Sequence, residues 1–122
     1  MGVIVLLIVV LGTVALLRDN ITESGPGKYD AFATCLKDQG AVFYGTFWCK
    51  FCNAQKKMFG SSQQLLPYQE CSTADGRSQL QSCKDKNIAS YPTWEFADNS
   101  RLNGVIPLEQ LAEKTSCVLP TE

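Results

Sequence analysis

Cys49 and Cys52 are separated by Lys50 and Phe51, and Trp48 stands directly before them. Ala41-Val42-Phe43-Tyr44-Gly45 upstream is an unbroken apolar run, the pattern of a strand covered on both faces, and the residues downstream read as a helix. A cysteine in the first turn of a helix meets unpaired backbone N–H groups and the positive end of the peptide dipoles. Both favour thiolate over thiol. A second cysteine one turn on can close a short disulfide with the first, so the pair can pass between dithiol and disulfide. In this reading Cys49 is the exposed nucleophile, aided by Lys50, and Cys52 is the resolving thiol on the buried side of the helix.

A zinc site is the competing use of such a pair. The chain has six cysteines and no histidine, so zinc would need four thiolates, usually as two close pairs. Beyond Cys49 and Cys52, the remaining Cys35, Cys71, Cys83 and Cys117 stand singly. Redox chemistry is the better fit, with no metal.

So many cysteines in 122 residues point to an oxidising compartment. Cys71 and Cys83 flank a polar loop, and a structural disulfide is expected there; closing a loop of that size is worth about 3 kcal/mol on the chain-entropy argument. Cys35 with Cys117 is the expected second bridge, tying the first helix to the last. The alternative is that these four are buried free thiols packing as small apolar groups. A net charge of -1 without a basic stripe argues against a nucleic-acid partner.

The elements that must hold these residues follow from periodicity and punctuation. Tyr29 to Asp38 places Ala31, Phe32, Cys35 and Leu36 on one helical face, and Gly40 stops it. Cys49 to Phe59 is a helix with Phe51, Cys52, Ala54, Met58 and Phe59 on its apolar stripe; Gln55 is a polar exception, and Asn53, Lys56 and Lys57 face away. Tyr68 to Cys71 is a strand, and Arg77 to Lys86 a short helix. Thr93–Phe96 and Arg101–Val105 form an antiparallel hairpin, and Pro107 to Ser116 a terminal helix with Pro at its start. The result is an α/β domain over residues 28–122, a mixed sheet flanked by helices.

Residues 1–17 contain no charged side chain and Thr13 as the one polar group. As a helix they span roughly 25 Å, slightly under a hydrocarbon core of about 30 Å. They are expected to be a transmembrane anchor or the last membrane helix of a larger protein, joined by a linker at 18–27. A cleaved signal peptide is the rival, disfavoured because no basic residue precedes the apolar run.

The CxxC between strand and helix, with Tyr91-Pro92-Thr93 ahead of the strand-like Trp94-Glu95-Phe96, resembles the thioredoxin superfamily. The resemblance implies a thioredoxin-like fold, a cis Tyr91–Pro92 bond facing the CxxC, and a loop of Tyr91, Pro92 and Thr93 whose backbone pairs with an extended substrate peptide. Phe43 to Cys49, Gln55 to Gly60, Tyr68 to Cys71 and Tyr91 to Phe96 are more closely similar to the thioredoxin-like domain fused to the last membrane helix of bacterial vitamin K epoxide reductase homologues. That branch implies a membrane-tethered thiol–disulfide oxidoreductase in the periplasm, thylakoid lumen or another extracytoplasmic space. It would oxidise the thiols of substrate proteins and pass electrons to a membrane enzyme. Quinone belongs to that partner, and no cofactor is expected on this domain.

Two residues depart from the pattern. Lys50-Phe51 replaces the branch's common Pro-His, and Phe43 stands where many thioredoxins carry a buried acid, six residues before the first cysteine. Trp48 is expected either to shield the pair at the rim or to pack in the core. Phe51 is either core or part of an apolar docking patch. The rival functions are a membrane-anchored thiol reductase or isomerase, and a non-catalytic, chaperone-like binding module.

Overall fold

The computed structural model describes residues 27–121. Helix α1 (Asp30–Asp38) leads into strand β1 (Val42–Gly45), helix α2 (Lys50–Lys57) and a 3-10 helix (Gly60–Leu65). Strand β2 (Tyr68–Glu70), helix α3 (Gln81–Asp85), the hairpin β3 (Thr93–Glu95) and β4 (Arg101–Asn103), and helix α4 (Leu108–Thr115) follow. The sheet order is β2-β1-β3-β4. β1 runs parallel to β2, with Phe43 opposite Tyr68 and Gly45 opposite Glu70. It runs antiparallel to β3, with Phe43 opposite Trp94, and β3 is antiparallel to β4. This mixed four-stranded sheet with its helices is consistent with a thioredoxin-like fold.

β1 is covered on both faces because its alternate side chains enter different cores. Phe43 joins Phe32, Leu36, Phe59, Trp94 and Leu111, and its ring stacks on Trp94 at 4.8 Å. Tyr44 points the other way, into a smaller cluster with Cys71, Cys83 and Ile88. Cys71 is bonded to Cys83, and Cys35 to Cys117. The second bridge joins α1 to the residues just past α4.

Several local expectations are corrected. On α1 the inner face is Phe32, Ala33 and Leu36, while Ala31 is exposed. On the active-site helix only part of the expected apolar stripe is buried. Cys52, Gln55 and Phe59 point inward at i, i+3 and i+7, and Phe51 and Ala54 face solvent. Gln55 belongs inside because its amide is fully used. Its Oε1 accepts from Trp94 Nε1 (3.2 Å) and the Ile106 amide (2.7 Å), and its Nε2 donates to the Ile106 carbonyl (3.1 Å). A buried amide so paired escapes the desolvation penalty that otherwise keeps it at the surface. Of the helix expected over Arg77 to Lys86, only Gln81–Asp85 forms; before it, Ser72 and Gln79 make an isolated antiparallel bridge.

The expected membrane helix at 1–17 and nearly all of the linker lie outside the described residues. Among the described residues no helix is long and apolar enough to cross a membrane.

Candidate active site

β1 ends at Gly45, and the chain turns through Thr46, Phe47 and Trp48 to start α2. The Cys49 amide donates to the Thr46 carbonyl (3.2 Å), and Asn53 Nδ2 donates to the Phe47 carbonyl (3.2 Å). Cys49 is the N-cap of α2, in extended backbone, and its sulfur accepts the Cys52 amide N–H at 3.2 Å. An orphan donor of the helix terminus is thus spent on the sulfur itself. Both cysteines are free thiols.

The two sulfurs differ in access. Cys49 keeps 7% of its surface and Cys52 none, so the nucleophile expected to be exposed is reached only through a narrow opening. Cys52 lies against Gly45, where a Cβ would stand 2.9 Å from its sulfur. Only a glycine lets the helix sit this close to the strand. Burial, and after it the hydrogen bond to Cys49, pushes the Cys52 thiol up to about 12, against smaller lowering influences from the Thr46 backbone and Lys56. Burial and the Glu70 carboxylate raise the neighbouring Tyr68 hydroxyl as well, so it stays protonated.

The Tyr91–Pro92 bond is cis, and the Tyr91 carbonyl lies 3.7 Å from the Cys49 sulfur. The loop and the CxxC, 42 residues apart, therefore meet at that sulfur. Pro92 is buried. The Thr93 side chain turns inward, its hydroxyl 2.7 Å from the Ser90 carbonyl and 2.8 Å from Asn103 Oδ1, where it holds the loop from behind. Lys50 is exposed.

Around Cys49 stand three exposed aromatics: Phe47 at 49%, Trp48 at 55% and Phe51 at 59%. Trp48 is a rim residue. Its Nε1 donates to Ser72 Oγ (3.0 Å) and its ring meets Tyr91 edge to face at 6.2 Å. Gln79 Nε2 donates to the Tyr91 hydroxyl (2.8 Å). Ser72 and Gln79 both come from the loop stapled by Cys71–Cys83, so that bridge also positions the rim. Thr46, Trp48, Cys71, Ser72, Gln79 and Tyr91 are among the residues lining a small cleft of about 140 Å³ under the Trp48 rim. A larger cleft of about 400 Å³, lined by residues of β4 and α4, contains no cysteine.

Glu70 and Phe47 carry little site signal in the sequence, and Lys56 is placed differently from its expected outward face. Glu70 accepts the Tyr68 hydroxyl on one oxygen and the Cys71 and Ser72 amides on the other, all at 3.0 Å. Lys56, expected to face away, is half-buried with Nζ 3.8 Å from the centre of the Tyr68 ring. Phe47 completes the apolar rim. An acid just before a cysteine, Glu70-Cys71, was the one available signal.

The four cysteines outside the CxxC are all in disulfides. Among the described residues no His, Cys, Asp and Glu cluster of three or more could hold a metal.

No family model matches the chain. It is 39% identical over 102 residues to thiol-disulfide oxidoreductase LTO1 of Arabidopsis thaliana, an alignment that covers 80% of this chain and 27% of that protein. The chain thus spans little more than a quarter of the length of this curated relative. A curated homologue of the chain is therefore a thiol-disulfide oxidoreductase, in agreement with a fold of the thioredoxin-like kind.

Proposed function

We propose that this protein is a membrane-tethered thiol–disulfide oxidoreductase working through Cys49 and Cys52. It oxidises substrate protein thiols and passes the electrons to a vitamin K epoxide reductase-like membrane enzyme. The observation that carries the reading is the Cys49 sulfur: it caps α2, accepts the Cys52 amide, and lies 3.7 Å from the carbonyl before the cis proline. The homology to a named thiol-disulfide oxidoreductase supports the same chemistry.

In the oxidising direction the chain starts with a Cys49–Cys52 disulfide. A substrate thiolate forms a bond to Cys49 Sγ, the Cys49–Cys52 bond breaks, and its electron pair goes to Cys52. A second substrate thiolate then attacks the substrate sulfur of the mixed disulfide and expels Cys49 as a thiolate. The substrate leaves with a new disulfide, and the domain keeps two electrons as a dithiol. The difference in access supports attack at Cys49. Phe47, Trp48 and Phe51 suit an apolar stretch of an incompletely folded substrate or of the membrane partner. The domain itself needs no cofactor; the final acceptor, a quinone, belongs to the membrane enzyme. The site works in an extracytoplasmic space such as the periplasm or thylakoid lumen, where the Cys35–Cys117 and Cys71–Cys83 bridges persist.

The test is turnover of a reduced substrate protein with Cys→Ser variants. Cys49→Ser loses turnover, and so does Cys52→Ser, which cannot form the internal disulfide but traps a mixed disulfide through Cys49 when the same substrate is offered in its oxidised form; full turnover by Cys49→Ser would overturn the assignment. The potential of the pair sets direction: about −120 mV favours oxidation, and about −270 mV favours a reductase.

A further inference from the structure

The Cys52 sulfur lies in an apolar setting, and the acid that many thioredoxins place beneath it is replaced by Phe43. The strands under α2 contribute Phe43, Gly45 and Trp94, none of which titrates. The titratable and charged groups that do face Cys52 are few. From α2 itself they are Cys49 and Lys56; from β2 they are Tyr68 and, behind it, Glu70. The Tyr91 hydroxyl on the opposing loop is engaged by Gln79.

These groups are arranged in a chain. Cys52 Sγ and Tyr68 Cε2 stand 2.9 and 3.0 Å from the point a Gly45 Cβ would occupy, so sulfur and ring flank the space the glycine leaves. Lys56 follows Cys52 by one helical turn, on the same side of α2, and its ammonium rests 3.8 Å from the Tyr68 ring centre. Both Glu70 oxygens are already taken by the Tyr68 hydroxyl and the Cys71 and Ser72 amides. Among the described residues Lys56 makes no ion pair with a carboxylate. Its charge is left for the sulfur.

We infer that Lys56, seated on the Tyr68 ring, is the charge partner and proton source of Cys52 during disulfide exchange. The inference rests on the exchange reaction proposed above for Cys49 and Cys52. As the substrate thiolate bonds to Cys49 Sγ, the breaking S–S bond delivers its electron pair to Cys52 Sγ. The Lys56 ammonium balances that charge and gives up one proton, leaving a Cys52 thiol and a neutral Lys56 amine. The amine, half-exposed, takes a proton back from water. Burial makes the Cys52 thiol hold its proton tightly, near 12, so the transfer runs toward sulfur. Tyr68 is the shelf and not the source, since its own hydroxyl is held protonated against Glu70.

The experiment follows opening of the oxidised Cys49–Cys52 disulfide by dithiothreitol, by tryptophan fluorescence, in the full chain and its Lys56→Met and Lys56→Arg variants. Lys56→Met slows opening roughly tenfold, as removal of a facing charge raises the leaving thiol's pKa by about one unit or more. Lys56→Arg, which keeps the charge but not a transferable proton, falls between. In a Cys49→Ser background, Lys56→Met also moves Cys52 alkylation to higher pH. A Lys56→Met protein with wild-type opening and an unmoved alkylation profile overturns the inference and leaves the proposed function standing. Equal slowing by Met and Arg with an unmoved profile also overturns it, as a packing role. If dithiothreitol fails to open the wild-type disulfide at all, the exchange reading falls and takes this inference with it.

Discussion

Gln55 on the active-site helix and Trp94 on the central hairpin are joined by a buried hydrogen bond of 3.2 Å, and the same Gln55 oxygen accepts the Ile106 amide at 2.7 Å. One side chain thus locks α2 to β3 and to the segment entering α4. Gln55→Leu keeps the volume but strands the Trp94 N–H and both Ile106 backbone groups. A loss of roughly 2–4 kcal/mol is expected, read as a lower urea midpoint at unchanged slope.

Gly45→Ala places a methyl 2.9 Å from the Cys52 sulfur and 3.0 Å from the Tyr68 ring, neither of which is the free end of a flexible chain. Overpacking of about 1–3 kcal/mol follows. The variant also changes exchange kinetics, because the sulfur must shift relative to Cys49. Urea denaturation and single-turnover reduction measure the two effects separately.

Cys52 gives a pH prediction with a definite sign. Its folded-state value, about 12, lies above the ordinary thiol value of about 8.5, so the folded reduced form holds its proton more tightly than the unfolded chain. Stability of the dithiol form is complete below the ordinary value and declines as pH rises toward the folded one. The disulfide form has no such loss. Paired unfolding curves at pH 7 and pH 10 test this, and in Cys49→Ser the alkylation of Cys52 stays slow throughout that range.

Replacing Cys71 and Cys83 together by Ser removes about 2–4 kcal/mol. More tellingly, it frees the loop that holds Ser72 against Trp48 and Gln79 against Tyr91. The expected signature is a shift in tryptophan emission and slower turnover under conditions where the protein remains folded.

The strand–CxxC–helix unit was legible because everything that defines it is local: an apolar run, a short turn, and cysteines one helical turn apart. The two bridges were legible from the loop that Cys71 and Cys83 flank and from the pairing left over. Gln55 stands out in the sequence only as an exception, since the groups that satisfy it lie 39 and 51 residues further on. Apolar spacing puts Ala54 on the inner face and leaves Phe51 between core and rim, because it fits two faces of α2; the Gln55 amide network turns both outward. Lys56 reads as a solvated charge until the Tyr68 ring is brought beneath it by the parallel pairing of β1 and β2. The Thr93 hydroxyl, bound to the Ser90 carbonyl and Asn103, is another long-range detail that the motif does not carry.

The bond between Cys35 and Cys117, 82 residues apart, closes a covalent circle. All four strands, the Cys71–Cys83 staple and the reactive pair lie within its circumference. A protease that cuts once anywhere along that arc severs the backbone without separating the pieces. Such a nicked chain migrates undivided on a non-reducing gel and falls into two fragments once reductant is added.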